Sequence, residues 1–164
     1  MIAEHVSIST NVHIFRAIAD DAYKKMSEDM KGSVRLGPEG NRIIDFDPER
    51  KSFKQAMISI VFTCIWLEAI LHLLIVKKCG KKKFTKNDKS SYKHKLDLLD
   101  CKDDELLQNV ERLRQARKGI VHEKAYCEFD NTGKFTGKLW RAQDEAENAR
   151  VVMLSVEKWS GFAD

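Results

Sequence analysis

Apolar residues return at helical spacing through most of this chain. From Asn11 to about Lys31, Val12, Phe15, Ile18, Ala22 and Met26 share one face, with Ser9 or Thr10 placed as cap and Gly32 as stop. Between Gly32 and about Glu49, two Pro, three Gly and mixed charges break every period. That predicts a loop with a short extended piece at Arg42 to Phe46. A central helix follows, from about Lys51 to Lys78, stopping near Gly80. Its apolar residues run almost all the way round, the pattern of a helix enclosed by neighbours.

Beyond a lysine-rich linker, the spacing predicts a short helix over about Lys89 to Leu99 and a fourth helix behind Asp103, Asp104 and Glu105, acids that suit a first turn. Leu106, Val110, Leu113, Arg117 and Ile120 form its stripe, and Gly119 weakens it just before His122. Cys127 to Trp140 alternates around Asp130-Asn131-Thr132-Gly133, which predicts a short β-hairpin. A last helix, from about Arg141 to Trp159, carries Ala142, Ala146, Ala149, Val152, Val156 and Trp159 on one face. The expected fold is all-α, a bundle of about five helices with the hairpin before the last one.

The 164 residues fit a single domain, 1–164, with its core over about 11–159. With only 2 Pro and 8 Gly, neither a disordered chain nor a turn-dense β-sandwich fits. Cys64, Cys79, Cys101 and Cys127 show no CxxC or zinc-site spacing, so a reducing, cytoplasmic setting is expected, with neither metal nor cofactor. No secretory signal is expected from Met1 to Asn11. Ala56 to Val76 has the length and apolarity of a membrane span, but Glu68 and His72 interrupt it. The other helices are amphipathic, and a lone span would leave their apolar faces uncovered. A soluble bundle without a membrane is therefore expected.

The net charge of +4 conceals a local excess. Between Lys77 and Lys95 stand nine lysines against the single acid Asp88, so the remainder of the chain is net acidic. Lys77, Lys78, Lys81, Lys82 and Lys83 are the candidates for contact with a nucleic-acid backbone, against the bland alternative of a solvated loop. A second cationic group lies further on. Arg114, Lys118 and His122 recur at i, i+4 and i+8, which puts three nitrogen-bearing side chains on one strip. Arg117 sits at the strip's edge within the apolar stripe. A guanidinium keeps its charge, so it needs a carboxylate or a phosphate there, and Glu68 is the natural carboxylate.

Arg117, four residues and then His122 resemble the Arg-x4-6-His motif of the HEPN superfamily. Leu67-Glu68-Ala69-Ile70 within a long apolar second helix, a short third helix ending Lys95-Leu96-Asp97-Leu98-Leu99 and a final amphipathic helix are similar to that family's layout. The resemblance covers roughly Asn11 to Trp159. It implies a metal-independent endoribonuclease of the toxin or phage-defence type, acting on RNA as a homodimer with two motifs facing each other. For toxin members it also implies a cognate antitoxin protein. Arg117 and His122 would be catalytic, with Glu68, Arg114 and Lys118 supporting. Lys118 departs from the Asn, Asp or His usual in the family. Lys124 stands where one subgroup carries a modified tyrosine, and Tyr126 is out of that register, so nucleotidylation is not expected.

The chemistry agrees with the residue types. Metal-free RNA cleavage needs a base for the 2′-OH proton, an acid for the leaving 5′-oxygen and cations for the phosphate charge. Histidine suits the first two roles near neutral pH and arginine the third. An ideal helix separates Arg117 and His122 by about 140°. Either Gly119 loosens the helix end, or the arginine of one subunit serves the histidine of another. Three alternatives to the nuclease remain at this level. One is a catalytically silent helical module that binds RNA or a protein. Another is a purely structural Arg117 to Glu68 ion pair, and the third is a membrane-anchored helical protein.

Overall fold

The computed structural model describes residues 11–31, 34–36, 42–44, 50–121 and 142–162. Along these the chain forms α1 (Val12–Met30), β1 (Val34–Leu36), β2 (Arg42–Ile44), α2 (Lys51–Cys79), α3 (Lys81–Asn87), α4 (Tyr92–Leu98), α5 (Asp104–Val121) and α6 (Ala142–Ser160). The fold is all-α. A small antiparallel ribbon between α1 and α2 pairs Val34 with Ile44 and Leu36 with Arg42, which gives the extended piece at Arg42 a partner strand. The hairpin expected over Cys127 to Trp140 lies outside the described residues.

The 29-residue helix α2 is the centre of the packing, with α1, α4, α5 and α6 set against it. Ile60, Trp66, Leu67, Ile70, Leu71 and Ile75 are fully buried. The helix is long and apolar enough to cross a bilayer, but 50% of its most apolar stretch is buried inside the molecule. Val12, Ala19, Ala22 and Met26 face it from α1, and Ala146, Ala149, Val152 and Val156 belong to the same core from α6. Those two stripes follow the helical spacing read from the sequence. Small alanines on α6 leave room for the bulky side chains of α2.

Polar pairs fix how the outer helices lie. Arg16 pairs with Glu157, Arg150 with Asp20, and Tyr23 donates to Glu147 at 2.7 Å, so α1 and α6 run antiparallel. Arg112 makes a two-pronged pair with Glu145 at 2.9 and 3.0 Å, and Asn148 donates to the Asn109 carbonyl at 3.1 Å, which sets α5 antiparallel to α6. Paired hydrogen bonds of this fork geometry constrain orientation more than a single contact does.

The lysine-rich segment departs from expectation. Residues Lys81–Asn87 are not a linker but a sixth helix, α3. Gly80, at φ 83° and ψ 159°, ends α2 in a conformation that a side chain would strain. Lysine is a good helix former, and Phe84 stacks on His72 of α2 with ring centroids 3.7 Å apart, so the segment re-forms a helix at once. Next, Ser91 caps α4 by accepting from the His94 amide at 3.3 Å. Helix α4 closes with Asp100 at φ 61°, the Cys101 amide on the Leu96 carbonyl and the Asp100 amide on that of Asp97. This is a Schellman ending with aspartate in the left-handed position.

Replacing Ile70, which is fully buried in α2, with alanine is expected to destabilise the fold by about 2–5 kcal/mol in chemical denaturation. Ile14→Ala, at a site 57% exposed on α1, should change stability by no more than about 0.5 kcal/mol.

Candidate functional site

Helices α2, α4 and α5 meet around a small group of polar side chains. Cys64 and Glu68 stand one turn apart on α2, Tyr92 and Lys95 one turn apart on α4, and Arg117 comes from the last turns of α5. Tyr92, Leu96 and Leu99 form the apolar stripe that docks α4, and Lys95 lies within it. Asp103 caps α5 by accepting from the Leu106 amide at 2.9 Å, and Leu106, Val110, Leu113 and Ala116 then bury its inner face.

Ala116, not Arg117, completes that stripe. The sequence placed Arg117 among the apolar positions, whereas the structure leaves it exposed, about one step round the helix from Ala116. The expected ion pair is also corrected. Glu68 bonds Lys95, whose ammonium lies 2.6 Å from the carboxylate, and no carboxylate among the described residues is within ion-pair distance of Arg117. The reason is geometric. Lys95 projects from the docked face of α4 straight onto α2 and is buried along its whole length, so it reaches Glu68 from inside.

Arg117 instead faces Cys64 and Tyr92. Burial pushes the Cys64 thiol up to about 12, with Arg117 acting in the opposite direction. Burial likewise raises the Tyr92 phenol, again opposed by Arg117, so both groups stay protonated across the physiological range. The Tyr92 hydroxyl interacts with both the thiol and the guanidinium and is closed to water.

The remaining residues singled out in the sequence separate into distinct groups. Arg114 is held by Glu111 on its own helix at 2.7 and 2.8 Å, which raises its pKa further and lowers that of the carboxyl. Lys118 is exposed on α5, while His122 lies outside the described residues. Lys78 donates to the Leu99 carbonyl at 2.9 Å and to the Asp100 carboxylate at 2.6 Å. It therefore fastens the end of α4 to α2. Lys77, Lys81, Lys82 and Lys83 are exposed or nearly so, and α3 contains no buried residue at all. Sequence reasoning missed Tyr92 and Lys95. The spacing of Tyr92, Leu96 and Leu99 was the available signal, because it puts Lys95 on a docked face where its charge needs a partner.

Comparison with protein-family models, with curated proteins and with solved structures finds no match to this chain.

Glu68→Gln should lower stability by roughly 1–3 kcal/mol, below the cost of breaking a fully buried pair, because Glu68 itself is 44% exposed and only Lys95 is deeply placed. Thermal denaturation measures this. An alkaline test follows from Cys64. Its thiol ionises near 9 when unfolded and about 12 when folded, so the unfolded state releases the proton first and stability falls as pH rises above about 9. Melting curves between pH 8 and 10.5 should show this fall, and Cys64→Ala should make it shallower.

Proposed function

We propose that this protein is a metal-independent endoribonuclease of HEPN type, cleaving RNA by 2′-OH transesterification at a site built from Arg117 and His122. The observation that carries the reading is the motif itself together with the state of its arginine. Arg117 stands exposed on α5 with no carboxylate neutralising it among the described residues. An uncompensated guanidinium on a rigid helix is suited to a phosphate, because its planar fork can donate two parallel hydrogen bonds to phosphate oxygens.

His122 would take the 2′-OH proton in the first half of the reaction and, as imidazolium, a histidine would return one to the departing 5′-oxygen. Arg117 would hold the negative charge that gathers on the pentacoordinate phosphate. Since an ideal helix sets the two residues about 140° apart, we assign the working unit as a homodimer in which the arginine of one protomer meets the histidine of the other. Lys118 borders this strip, while Lys77, Lys81, Lys82 and Lys83 supply attraction for the strand's backbone without reading its sequence. A cytoplasmic role in a toxin or defence system, with a cognate antitoxin in the first case, is part of the same reading.

The products decide it. RNA fragments should end in a 2′,3′-cyclic phosphate and a 5′-OH, form at the same rate with EDTA present, and be absent with His122→Ala. Light scattering should give about twice 18.9 kDa. An oligonucleotide carrying deoxyribose at the cleaved position keeps every phosphate contact and lacks the nucleophile, so it should remain intact. Cleavage of that oligonucleotide at the RNA rate would overturn the mechanism, and retained RNA cleavage by His122→Ala would overturn the site.

A further inference from the structure

One face of α2 is left partly uncovered. Lys54, Ile58, Val61, Ile65 and Glu68 recur at steps of four, three, four and three residues, which lines them along a single stripe. Ile58 is 39% exposed, Val61 and Ile65 are half-buried, and none of the three belongs to the core formed by the described residues. Water therefore meets a row of branched apolar side chains, which is more than a single exposed residue on a helix would present. The row ends in opposite charges. Lys54 is exposed and meets no carboxylate among the described residues. Glu68 gives one carboxylate oxygen to Lys95 from inside, and its outer side stays open. A stripe that reads cation, three apolar residues, anion is complementary to its own reversed copy. Parallel pairing would set Lys54 against Lys54 and Glu68 against Glu68, and a bilayer would cover the apolar row while drawing an ionised carboxylate towards lipid.

We propose that a second copy of this chain covers the stripe, the two α2 helices packing antiparallel about a two-fold axis at Val61, with Lys54 of each copy paired to Glu68 of the other. Lys54 and Glu68 stand seven residues to either side of Val61, so the two-fold brings them level, and Ile58 of each copy packs near Ile65 of the other. Glu68 then receives a cation from both sides, Lys95 of its own chain and Lys54 of the other copy. The homodimer proposed for RNA cleavage acquires a surface in this way, whereas the stripe itself rests on α2 alone.

The test uses the whole protein and reads its dimerisation by analytical ultracentrifugation. Ile58→Glu, at an exposed site, should keep its helical circular dichroism and weaken the dimer about a hundredfold or more, because a two-fold interface carries each substitution twice. Lys54→Glu sets two carboxylates against each other and should weaken it about tenfold. Orientation is read by oxidative cross-linking with copper phenanthroline in air, against the wild-type background. Val61→Cys sits on the axis and should give a covalent dimer. Lys54→Cys should not, since at 1.5 Å per residue its two copies lie roughly 21 Å apart along the helices, well beyond the roughly 7 Å that a disulfide allows between Cα atoms. A dimer that survives Ile58→Glu, or equal cross-linking by Lys54→Cys and Val61→Cys, overturns the proposal. So does a monomeric wild type that binds phosphatidylcholine vesicles through Ile58, which would give the stripe to a lipid surface. If the dimer behaves as described and cuts no RNA, the ribonuclease reading falls and the interface stands. If RNA is cut by a dimer that ignores Ile58, the interface falls and the ribonuclease reading stands.

Discussion

A 29-residue helix that is apolar on nearly every side has to be covered, and the fold is arranged around that requirement. No single amphipathic neighbour is wide enough to cover α2. Helix α1 covers one side, α6 with its alanines packs closely on another, and α5 and α4 close over the second half of the helix. The gain is non-directional, because burying apolar surface favours coverage without choosing a particular angle. Direction comes from the polar pairs at the seams. Arg16 with Glu157, Arg150 with Asp20 and Arg112 with Glu145 sit outside the core and fix which turn faces which. Half-exposed pairs of this kind add little to stability and much to register.

The same requirement explains why polar chemistry collects where α2, α4 and α5 meet. Lys95 is a buried charge on a face of α4 that is otherwise Tyr92, Leu96 and Leu99, so whatever packs there must supply an anion. Helix α2 supplies it with Glu68, which stays partly exposed. Two charges are thereby satisfied within the molecule, and a third, on Arg117, is left over. A protein under selection for stability alone would do as well with apolar residues at Glu68 and Lys95. That the pair exists beside an uncompensated arginine is the physical link between the packing of α2 and the phosphate chemistry proposed for α5.

The lysines divide by the same logic. Lys78 lies at the last turn of α2, where the Leu99 carbonyl and the Asp100 carboxylate of the α4 ending draw it into structure. Two residues on, Gly80 redirects the chain and α3 carries its lysines outward, with Phe84 stacked on His72 and Asn87 hydrogen-bonded to His94. A cationic helix with no buried residue is inexpensive to hold out in solvent, and it extends the positive surface well past the site.

Much of the fold was legible in the sequence. Periodicity located α1, α2, α5 and α6 and the buried faces of α1 and α6, because a stripe at helical spacing is a local property that each helix carries with it. The acidic first turn of α5 and the stop at Gly80 were equally local. Charge counting singled out the lysine segment, motif spacing singled out Arg117 and His122, and a carboxylate on an apolar helix singled out Glu68. What the sequence left open was which charge meets which. Arg117 and Ala116 differ by one step round a helix, and only the angle at which α5 settles on α2 decides which of them is buried. Likewise Lys95 and Arg117 were both eligible partners for Glu68, 27 residues away in one case and further along the chain in the other. Local pattern selects helices and their faces; the pairing of charges depends on distances across three packed helices, and these exist only once the chain has folded.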